Sequence, residues 1–219
     1  HPILMLCGEQ GAAKSTSTRM TRSIVDPAHN EVTSMPTSIQ DLALSLQNNY
    51  MPAYDNLTSI TGNVSDLLCT AATGGGFSKR KMFTDDEEAM MSFKRCVVLN
   101  GINVVASKAD LLDRSIILEL DRIDERDRKV EREVWNDFES DKPAILGSIF
   151  TVLSKAMKLY PSVQLDDLPR MADFTLWGYA IAEAIKVGWG EKFIKAYKIN
   201  RKKASDEAAS AHPVASALI

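Results

Sequence analysis

Cysteine and histidine are scarce in this sequence, and neither is spaced like a metal site. The three residues of each type lie far apart along the chain: Cys7, Cys69, Cys96, His1, His29 and His212. No pair of them has the short spacing of a zinc motif. An odd number of scattered cysteines suits a reducing compartment rather than a disulfide framework.

Long apolar segments and strong net charge are also missing. No apolar run approaches the length of a membrane span, and the N-terminus lacks the basic start of a signal peptide. The formal net charge of -3 argues against a protein that coats nucleic acid with its whole surface, although a local basic patch is compatible with it. The 219 residues, 45% of them hydrophobic, suffice for one or two globular domains.

Both ends of the sequence look cut. The chain opens almost directly on the apolar run Ile3–Cys7 and stops at residues 213–219 without a tail. We therefore expect it to be a piece of a longer protein.

The segment after the first apolar run matches a phosphate-binding loop. The pattern G-x-x-x-x-G-K-[ST] is met at every required position except that Ala13 replaces the second glycine. In such a loop backbone N–H groups point at phosphate oxygens, Lys14 bridges the β and γ phosphates, and Ser15 places its hydroxyl on Mg²⁺. Ala13 is tolerable there if its φ is negative. The other interpretation is a glycine-rich turn that happens to precede Lys-Ser. The predicted nucleotide-contacting residues are Gly8, Glu9, Gln10, Gly11, Ala12, Ala13, Lys14, Ser15 and Thr16.

Apolar runs alternate with helical patterns up to residue 120, which predicts an α/β fold with a parallel sheet. The predicted strands are Ile3–Cys7, Met51–Asp55, Cys96–Asn100 and Ser115–Leu120. The predicted helices are Lys14–Val25, one capped by Ser38, and Ser65–Thr73, and a hairpin is expected at Phe77–Thr84.

Beyond Asp121 the pattern becomes helical. A charged linker or helix is expected at Asp121–Glu133, followed by helices at Ala144–Leu159, around Phe174, Trp177, Ile181 and Ile185, and at Glu191–Lys203, with Trp177 in the core. We therefore predict an α/β core at residues 1–122, a smaller helical domain at 123–203, and a linker or the start of a further region at 204–219.

A second carboxylate for the metal is expected at the end of a strand that neighbours the loop strand. Asp55 follows the apolar run that starts at Tyr50 and takes this position. The next residue, Asn56, stands where most such ATPases have a glutamate that polarises water. Asn56 cannot act as a base but could orient a water, so the missing glutamate argues against efficient hydrolysis. The alternative is an aspartate that ends a strand and caps a turn.

Two further polar residues stand at predicted strand boundaries. Asn100 ends the third strand, where ligands bind in open α/β sheets, although Asn-Gly is also a common turn pair. Arg114 precedes the fourth strand and could reach the γ-phosphate of a neighbouring subunit. An intramolecular salt bridge of Arg114 is the alternative, and sequence alone slightly favours it.

Taken together these residues resemble an AAA+ ATPase of the helicase kind. The Ala-Lys-Ser ending of the loop is similar to that of the minichromosome-maintenance helicases. Leu168–Asp173 resembles a sensor 2 motif, which implies that Arg170 lies near the γ-phosphate. The motif order also matches: Walker A at Gly8–Ser15, Walker B at Asp55, sensor 1 at Asn100, an arginine finger at Arg114, and then a helical lid domain.

More closely, the chain resembles the ATPase domain of phage and mobile-element primase-helicases, relatives of superfamily 3 helicases. Within that group Asp-Asn is an expected Walker B variant. The resemblance implies ATP and Mg²⁺ as cofactors, a homo-oligomeric ring that we expect to be a hexamer, and single-stranded or forked DNA and a primase domain or protein as partners. It also implies the cytoplasm of a bacterial or phage-infected cell. The shared segments are Tyr54–Leu57, Ala72–Phe77, Phe83–Asp86, Leu99–Ile102 and the sensor 2-like motif.

Three adjacent cations, Lys79, Arg80 and Lys81, lie on the predicted hairpin. They could pair with DNA phosphates without reading sequence. Superfamily 3 helicases carry a DNA-gripping lysine on a hairpin before sensor 1, and this segment occupies the matching place. The alternative is a solvated loop that balances the acidic run Asp85–Glu88.

Three functions remain open from sequence. The first is an ATP-driven DNA motor, the helicase part of a primase-helicase, which Arg114 and the basic hairpin favour. The second is a slow nucleotide-dependent switch or assembly factor on DNA, which Asn56 favours. The third is a small-molecule P-loop kinase, which usually carries an arginine-rich substrate lid within the α/β core, and no such lid is obvious.

Overall fold

The computed structural model describes residues 1–80, 88–104, 106 and 108–210. The chain divides into two compact units. The first comprises residues 1–122 together with the chain from residue 204, and the second comprises residues 123–203.

A four-stranded parallel sheet forms the centre of the first unit. β1 pairs with β5 in the register Leu4↔Val98 and with β6 in the register Leu4↔Ile116. The predicted α/β fold with a mainly parallel sheet flanked by helices is confirmed. Because the strands are parallel, their carboxyl ends share one edge of the sheet. The strands, in the order β2-β5-β1-β6, are β2 (Ala53–Leu57), β5 (Val98–Gly101), β1 (Ile3–Cys7) and β6 (Ser115–Glu119).

Helices flank this sheet. Helix α1 has the predicted bounds, and the Ser38 hydroxyl caps α2 by accepting a hydrogen bond from the Asp41 N–H at 3.0 Å. Helix α3 begins at Gly62, three residues before the predicted start at Ser65. Apolar side chains of α2 and α3, such as Leu42 and Leu68, are fully buried in the same core as the β1 side chains. The helices are α1 (Lys14–Val25), α2 (Ile39–Asn48), α3 (Gly62–Thr73) and α4 (Ala109–Leu112).

Strand β2 starts and ends two residues later than predicted. Asp55 therefore lies in the middle of the strand and not at its end. Pairing with β5 is regular at Ala53 and Tyr54 and shifts before Leu57. The shift coincides with a left-handed backbone at Asn56, which has a φ of 57°. An apolar run cannot reveal such an irregularity, because it reports burial and not backbone angle.

A separate antiparallel hairpin joins β3 (Gly75–Arg80) to β4 (Glu88–Phe93), with Gly75 opposite Phe93. A hairpin was predicted at Phe77–Thr84 and a hairpin is present, but β3 starts two residues earlier and β4 was not predicted. Of the basic residues, Lys79 and Arg80 end β3, whereas Lys81 lies outside the described residues.

The second unit is helical. It contains α5 (Glu131–Leu159), α6 (Ala172–Ile185) and most of α7 (Trp189–Ser210), with short 3-10 turns at Glu125–Asp127 and Tyr160–Ser162. The predicted start of the first helix at Ala144 is wrong, since α5 begins at Glu131 and continues through Pro143. A proline removes one backbone hydrogen bond, and the turns on both sides sustain the helix here. In the described part of the chain, no helix is long and apolar enough to cross a bilayer.

Aromatic contacts hold α6 to its neighbours. Trp177, predicted to lie in the core, is only half-buried, and it stacks on Tyr160 with ring centroids 4.2 Å apart. Phe174 contacts Tyr197 of α7 edge to face. Residues 204–210, predicted as a linker or the start of a further region, continue α7, and Ala204 is buried in the core of the first unit.

Candidate nucleotide site

A cavity of about 530 Å³ opens at the carboxyl edge of the sheet, within the first unit. Its wall consists of the turn after β1 with the start of α1, the end of β2 with Thr58, and the residues that follow Asn100. The volume lies within the range of small-molecule sites. The carboxyl edge of an open parallel sheet is also where such folds bind ligands.

Glycines shape the turn between β1 and α1. Gly8 has a φ of 149°, and a Cβ built on it would lie 2.3 Å from the carbonyl oxygen of Leu120. No other residue fits there without moving the backbone. The Gly8 N–H donates to the Ile102 carbonyl at 3.0 Å, and the Leu120 N–H donates to the Cys7 carbonyl at 2.9 Å. These bonds fasten the loop to the ends of the neighbouring strands.

Ala13 adopts the left-handed conformation, with a φ of 55° and a ψ of 26°. The condition of a negative φ, under which an alanine is readily tolerated at this position, is therefore not met. For an alanine this conformation costs roughly 1 kcal/mol. Among the described residues other than glycine, Ala13 and Asn56 have a positive φ, and both line the cavity. Strain of this kind persists where the surrounding structure imposes it, typically at functional sites.

Lys14 opens α1 and folds its side chain back over the loop. Its Nζ donates to the carbonyls of Gly8 at 2.6 Å and Glu9 at 2.9 Å. These two bonds use two of the three N–H donors of an ammonium group. The positive charge is thus held at the cavity wall by backbone oxygens, which an anion could replace.

Ser15 and Asp55 contact each other directly in the cavity wall. Ser15 Oγ donates to Asp55 Oδ2 at 2.5 Å, and Asp55 Oδ1 accepts from the Asn56 N–H at 2.9 Å. Mg²⁺ prefers oxygen ligands and is commonly held by one or two carboxylates together with phosphates and waters. No group of three or more metal-binding side chains occurs within the described residues. The hydroxyl and carboxylate therefore fit a magnesium ion that is shared with phosphates, not an all-protein cage.

Asn100 lies beneath the loop and does not line the cavity, whose wall is formed there by Gly101 and Ile102. Its side chain is fully buried, and its Nδ2 donates to Thr18 Oγ1 at 3.0 Å. The Thr18 hydroxyl lies 3.0 Å from the Lys14 carbonyl and 3.1 Å from Asn100 Oδ1. Asn100 thus lies at the predicted strand end, but its side chain is turned away from the cavity. Its amide ties β5 to Thr18, one turn after the start of α1.

Arg114 lies at the opposite edge of the sheet. Its carbonyl accepts a hydrogen bond from the N–H of Ile3, the first residue of β1, whereas the cavity follows the last residue of β1. A strand of this length separates the two edges by about 15 Å. Its Nη1 contacts the Asp110 carbonyl at 2.8 Å and the Asp110 carboxylate at 2.5 Å, and the Arg114 side chain is 11% exposed. Arg114 therefore does not reach the cavity of its own chain and makes the intramolecular ion pair that the sequence left open.

A buried thiol lies beside this ion pair. Burial, followed by a hydrogen bond with Asp110, raises the pKa of Cys69 to about 11. The thiol is therefore neutral at physiological pH and lacks the thiolate character of a reactive cysteine.

The other predicted site residues lie outside the cavity wall. Arg170 is exposed and precedes α6 in the second unit. Lys79 and Arg80 belong to β3, and the structure describes only their backbone. Sequence reasoning missed Thr18, although a polar residue one turn after Lys14 on the buried side of α1 was a usable signal. It also missed Thr58 and Ile102 in the cavity wall.

Comparisons with known proteins place the chain in a family. A family model described as "Actinomycete integrative conjugative element replication protein" matches residues 1–205. No curated protein matches the sequence. Similar solved structures include the A-form apo structure of the NrS-1 C-terminal region, with a TM-score of 0.44 and 11% identity, where the match covers 90% of this chain and 62% of that one. Another is JCV Helicase with a substituted acetamide bound, with a TM-score of 0.37 and 10% identity. That match covers 96% of this chain and 55% of the helicase chain.

This chain thus spans less than two thirds of the length of those two solved chains. The family match, in contrast, extends over nearly the whole sequence, from the first strand into α7. The protein therefore belongs to the family of actinomycete integrative conjugative element replication proteins.

Proposed function

We propose that this chain is an ATP-binding and ATP-hydrolysing AAA+ motor domain, the helicase part of a primase-helicase that replicates a mobile element. The observation that carries the proposal is the convergence of Lys14, Ser15 and Asp55 on one cavity at the carboxyl edge of the sheet. The strained backbone at Ala13 and Asn56 in the same wall supports it.

Each cavity residue has a role in this proposal. The N–H groups of the loop and of the first turn of α1 bind phosphate oxygens, because a helix N-terminus carries partial positive charge. Lys14 exchanges the Gly8 and Glu9 carbonyls for the β and γ phosphates. Ser15 and Asp55 hold Mg²⁺, which neutralises charge on the transferred phosphoryl group.

The motor hypothesis also requires a residue that activates the attacking water. Within the described cavity wall Asp55 is the one carboxylate, and Gln10 and Asn56 supply amides. An amide orients a water but takes no proton from it. This observation favours, as a second candidate, a nucleotide-dependent switch or assembly factor on DNA that turns over slowly.

The proposal extends to a ring. In a head-to-tail arrangement the amino edge of one sheet would face the cavity of the next copy, and such heterologous contacts form a ring when the rotation between copies closes. We propose a hexamer in which Arg114 serves the neighbouring cavity and Arg170 of the lid approaches the γ-phosphate. Single-stranded or forked DNA then contacts the hairpin residues Lys79, Arg80 and Lys81, and a primase domain or protein is a further partner.

ATP turnover with and without single-stranded DNA, measured alongside ATP binding and solution mass, tests this proposal. We expect DNA-stimulated turnover that Lys14→Ala lowers by about 100-fold or more, as loss of a positioned charge donor does elsewhere. Lys155→Ala, at an exposed lysine of α5, is the matched control and keeps wild-type turnover. Tight ATP binding with slow turnover that DNA does not change supports the switch, and full activity of Lys14→Ala contradicts the phosphate-loop assignment.

A further inference from the structure

Helix α7 and the turn before it concentrate positive charge. Residues 186–203 contain seven lysine and arginine residues and one acidic residue, Glu191, in a chain whose net charge is -3. Lys198 lies 3.7 Å from a carboxylate oxygen of Asp167. The cations available to a ligand are therefore fewer than the composition suggests, and their positions on the helix decide what they can bind.

Three exposed lysines share one side of α7. Lys192, Lys195 and Lys202 have the i, i+3, i+10 spacing that places side chains on one helix side. At 1.5 Å per residue, the first and last of them are separated by about 15 Å along the axis. In the part of the chain that the structure describes, none of the three forms an ion pair.

Exposed apolar side chains lie on the same side. Ile199 stands between the lysines and is 71% exposed. Trp189, one turn before Lys192, is 38% exposed, and its ring centroid lies 5.7 Å from Lys192 Nζ and 5.8 Å from Lys186 Nζ. Val187 in the preceding turn is 86% exposed. Apolar side chains that face water do not stabilise the isolated chain, so these side chains are available to bind a partner.

The turn that presents Trp189 is fixed by hydrogen bonds. The two carboxylate oxygens of Glu183 accept from the N–H groups of Gly188 at 2.8 Å and Gly190 at 3.0 Å. These two bonds, that of Gly188 first, hold the pKa of Glu183 below its usual range. The carboxylate therefore stays ionised and keeps the aromatic ring and its flanking lysines in one arrangement.

We propose that this surface, defined by Trp189, Lys192, Lys195, Ile199 and Lys202, binds single-stranded DNA. The lysines meet backbone phosphates, and the exposed ring and aliphatic groups meet unpaired bases. Duplex DNA hides its base faces and engages the lysines alone. Phosphate contacts carry no sequence information and stacking accepts every base, so the binding carries no strong sequence preference. The surface lies in the second unit and shares no residue with the cavity or the β3–β4 hairpin.

The test is binding of a fluorescent oligothymidylate to the full chain without nucleotide, over a range of salt concentrations. The variant is Lys192→Gln with Lys195→Gln and Lys202→Gln, because glutamine keeps helix propensity. Each phosphate contact on a single strand contributes about 0.7 to the slope of log affinity against log salt, so the slope should flatten by about 2. The control removes the same charge from α5 through Lys142→Gln, Lys155→Gln and Lys158→Gln, and should bind as the wild type does.

Two further variants sharpen the test. Trp189→Ala should weaken oligothymidylate binding about tenfold, in line with the loss of one stacked base, and leave duplex affinity unchanged. Neutralising Lys79, Arg80 and Lys81 together should lower the affinity independently of the α7 variant if both surfaces bind DNA. An unchanged salt slope in the folded α7 variant, or an equal loss in the α5 control, overturns the proposal. Loss of self-association with intact DNA binding also overturns it, because the surface then contacts protein.

Discussion

The carboxyl and amino edges of the sheet are built differently. At the carboxyl edge, Ala13 and Asn56 hold left-handed backbone, and Ser15 bonds to Asp55 from 40 residues away in sequence. At the amino edge, Arg114 pairs with a residue one helical turn before it, and the Ser115 hydroxyl likewise donates to the Leu111 carbonyl at 2.6 Å.

We interpret the carboxyl edge, where strain and distant partners surround a cavity, as the part of the sheet that we propose to bind a ligand. At the amino edge, the side-chain partners of Arg114 and Ser115 are local and stabilise the turn into β6. One atom departs from this division. Arg114 Nε is buried and, among the described residues, has no hydrogen-bond partner. The first prediction therefore concerns Arg114.

The largest effect is expected for Arg114→Ala. If Arg114 serves the cavity of a neighbouring copy, the variant should bind ATP nearly normally and lose turnover by about 1,000-fold, the lower range for an arginine finger. Mixing it with Lys14→Ala should restore part of the activity, because one interface then pairs an intact cavity with an intact arginine. Turnover of the mixture is measured together with solution mass.

A structural role of Arg114 predicts a different outcome. Loss of its pair with Asp110 would lower the urea midpoint, and the mixture would stay inactive although mixed rings form. Arg114→Lys keeps the charge but loses the fork of donors. Its midpoint should stay close to that of the wild type, so it separates folding from catalysis.

Asp55→Asn should have the next largest effect. Asparagine keeps the size of the side chain and removes the charge that we assign to Mg²⁺. We expect turnover to fall by about 100-fold and the Mg²⁺ requirement to rise, as for other losses of positioned charge. A magnesium titration of ATP turnover measures both. Asp137→Asn, at an exposed carboxylate 3.1 Å from Lys129 Nζ, is the control. A wild-type Mg²⁺ optimum in Asp55→Asn would place the carboxylate elsewhere, with Asp41 and Asp66 as the next residues to examine.

Thr18→Val tests the link between β5 and α1. Valine matches threonine in shape, but it removes the Thr18 hydroxyl that contacts both polar atoms of the buried Asn100 amide. A buried polar group without a partner costs about 1–3 kcal/mol, so the urea midpoint should fall. Adding Asn100→Leu should recover much of the loss, because replacing both partners by apolar groups is nearly neutral. If the double variant does not recover, the Thr18–Asn100 pair stabilises the fold by more than the hydrogen bonds that the two side chains give each other.

The sequence predicted well what lies within a short segment. The loop from Gly8 to Ser15, helix α1 and the cap at Ser38 follow from local patterns, and their bounds agree with the structure. The α/β class was also predictable, because buried strands and amphipathic helices alternate along the chain.

Residues assigned by motif order were less predictable. Asn100 and Arg114 have the right places along the chain, but side-chain direction depends on packing that no motif encodes. Asn100 turns to Thr18, a residue 82 positions away in sequence, and Arg114 turns to Asp110. The left-handed angle of Ala13 was not predictable either, since alanine gives no sign of positive φ. The start predicted for α5 at Ala144 left out thirteen residues of helix, because the apolar spacing that indicated the helix begins only there.

The smallest expected effect belongs to Ala13→Gly. Glycine removes the penalty of roughly 1 kcal/mol for the left-handed conformation at this position. It also increases the conformational entropy of the unfolded chain, which lowers the stability by about 0.5–1 kcal/mol. The net change in the free energy of unfolding should therefore be close to zero or slightly favourable. Asn56→Gly is the matched control in the same cavity wall. Asparagine tolerates the left-handed region better than alanine, so this variant should lose stability through the unfolded state alone. The urea midpoint of Ala13→Gly should consequently exceed that of Asn56→Gly. Equal losses would show that Ala13 stores no strain, and backbone strain would then no longer distinguish the carboxyl edge from the amino edge.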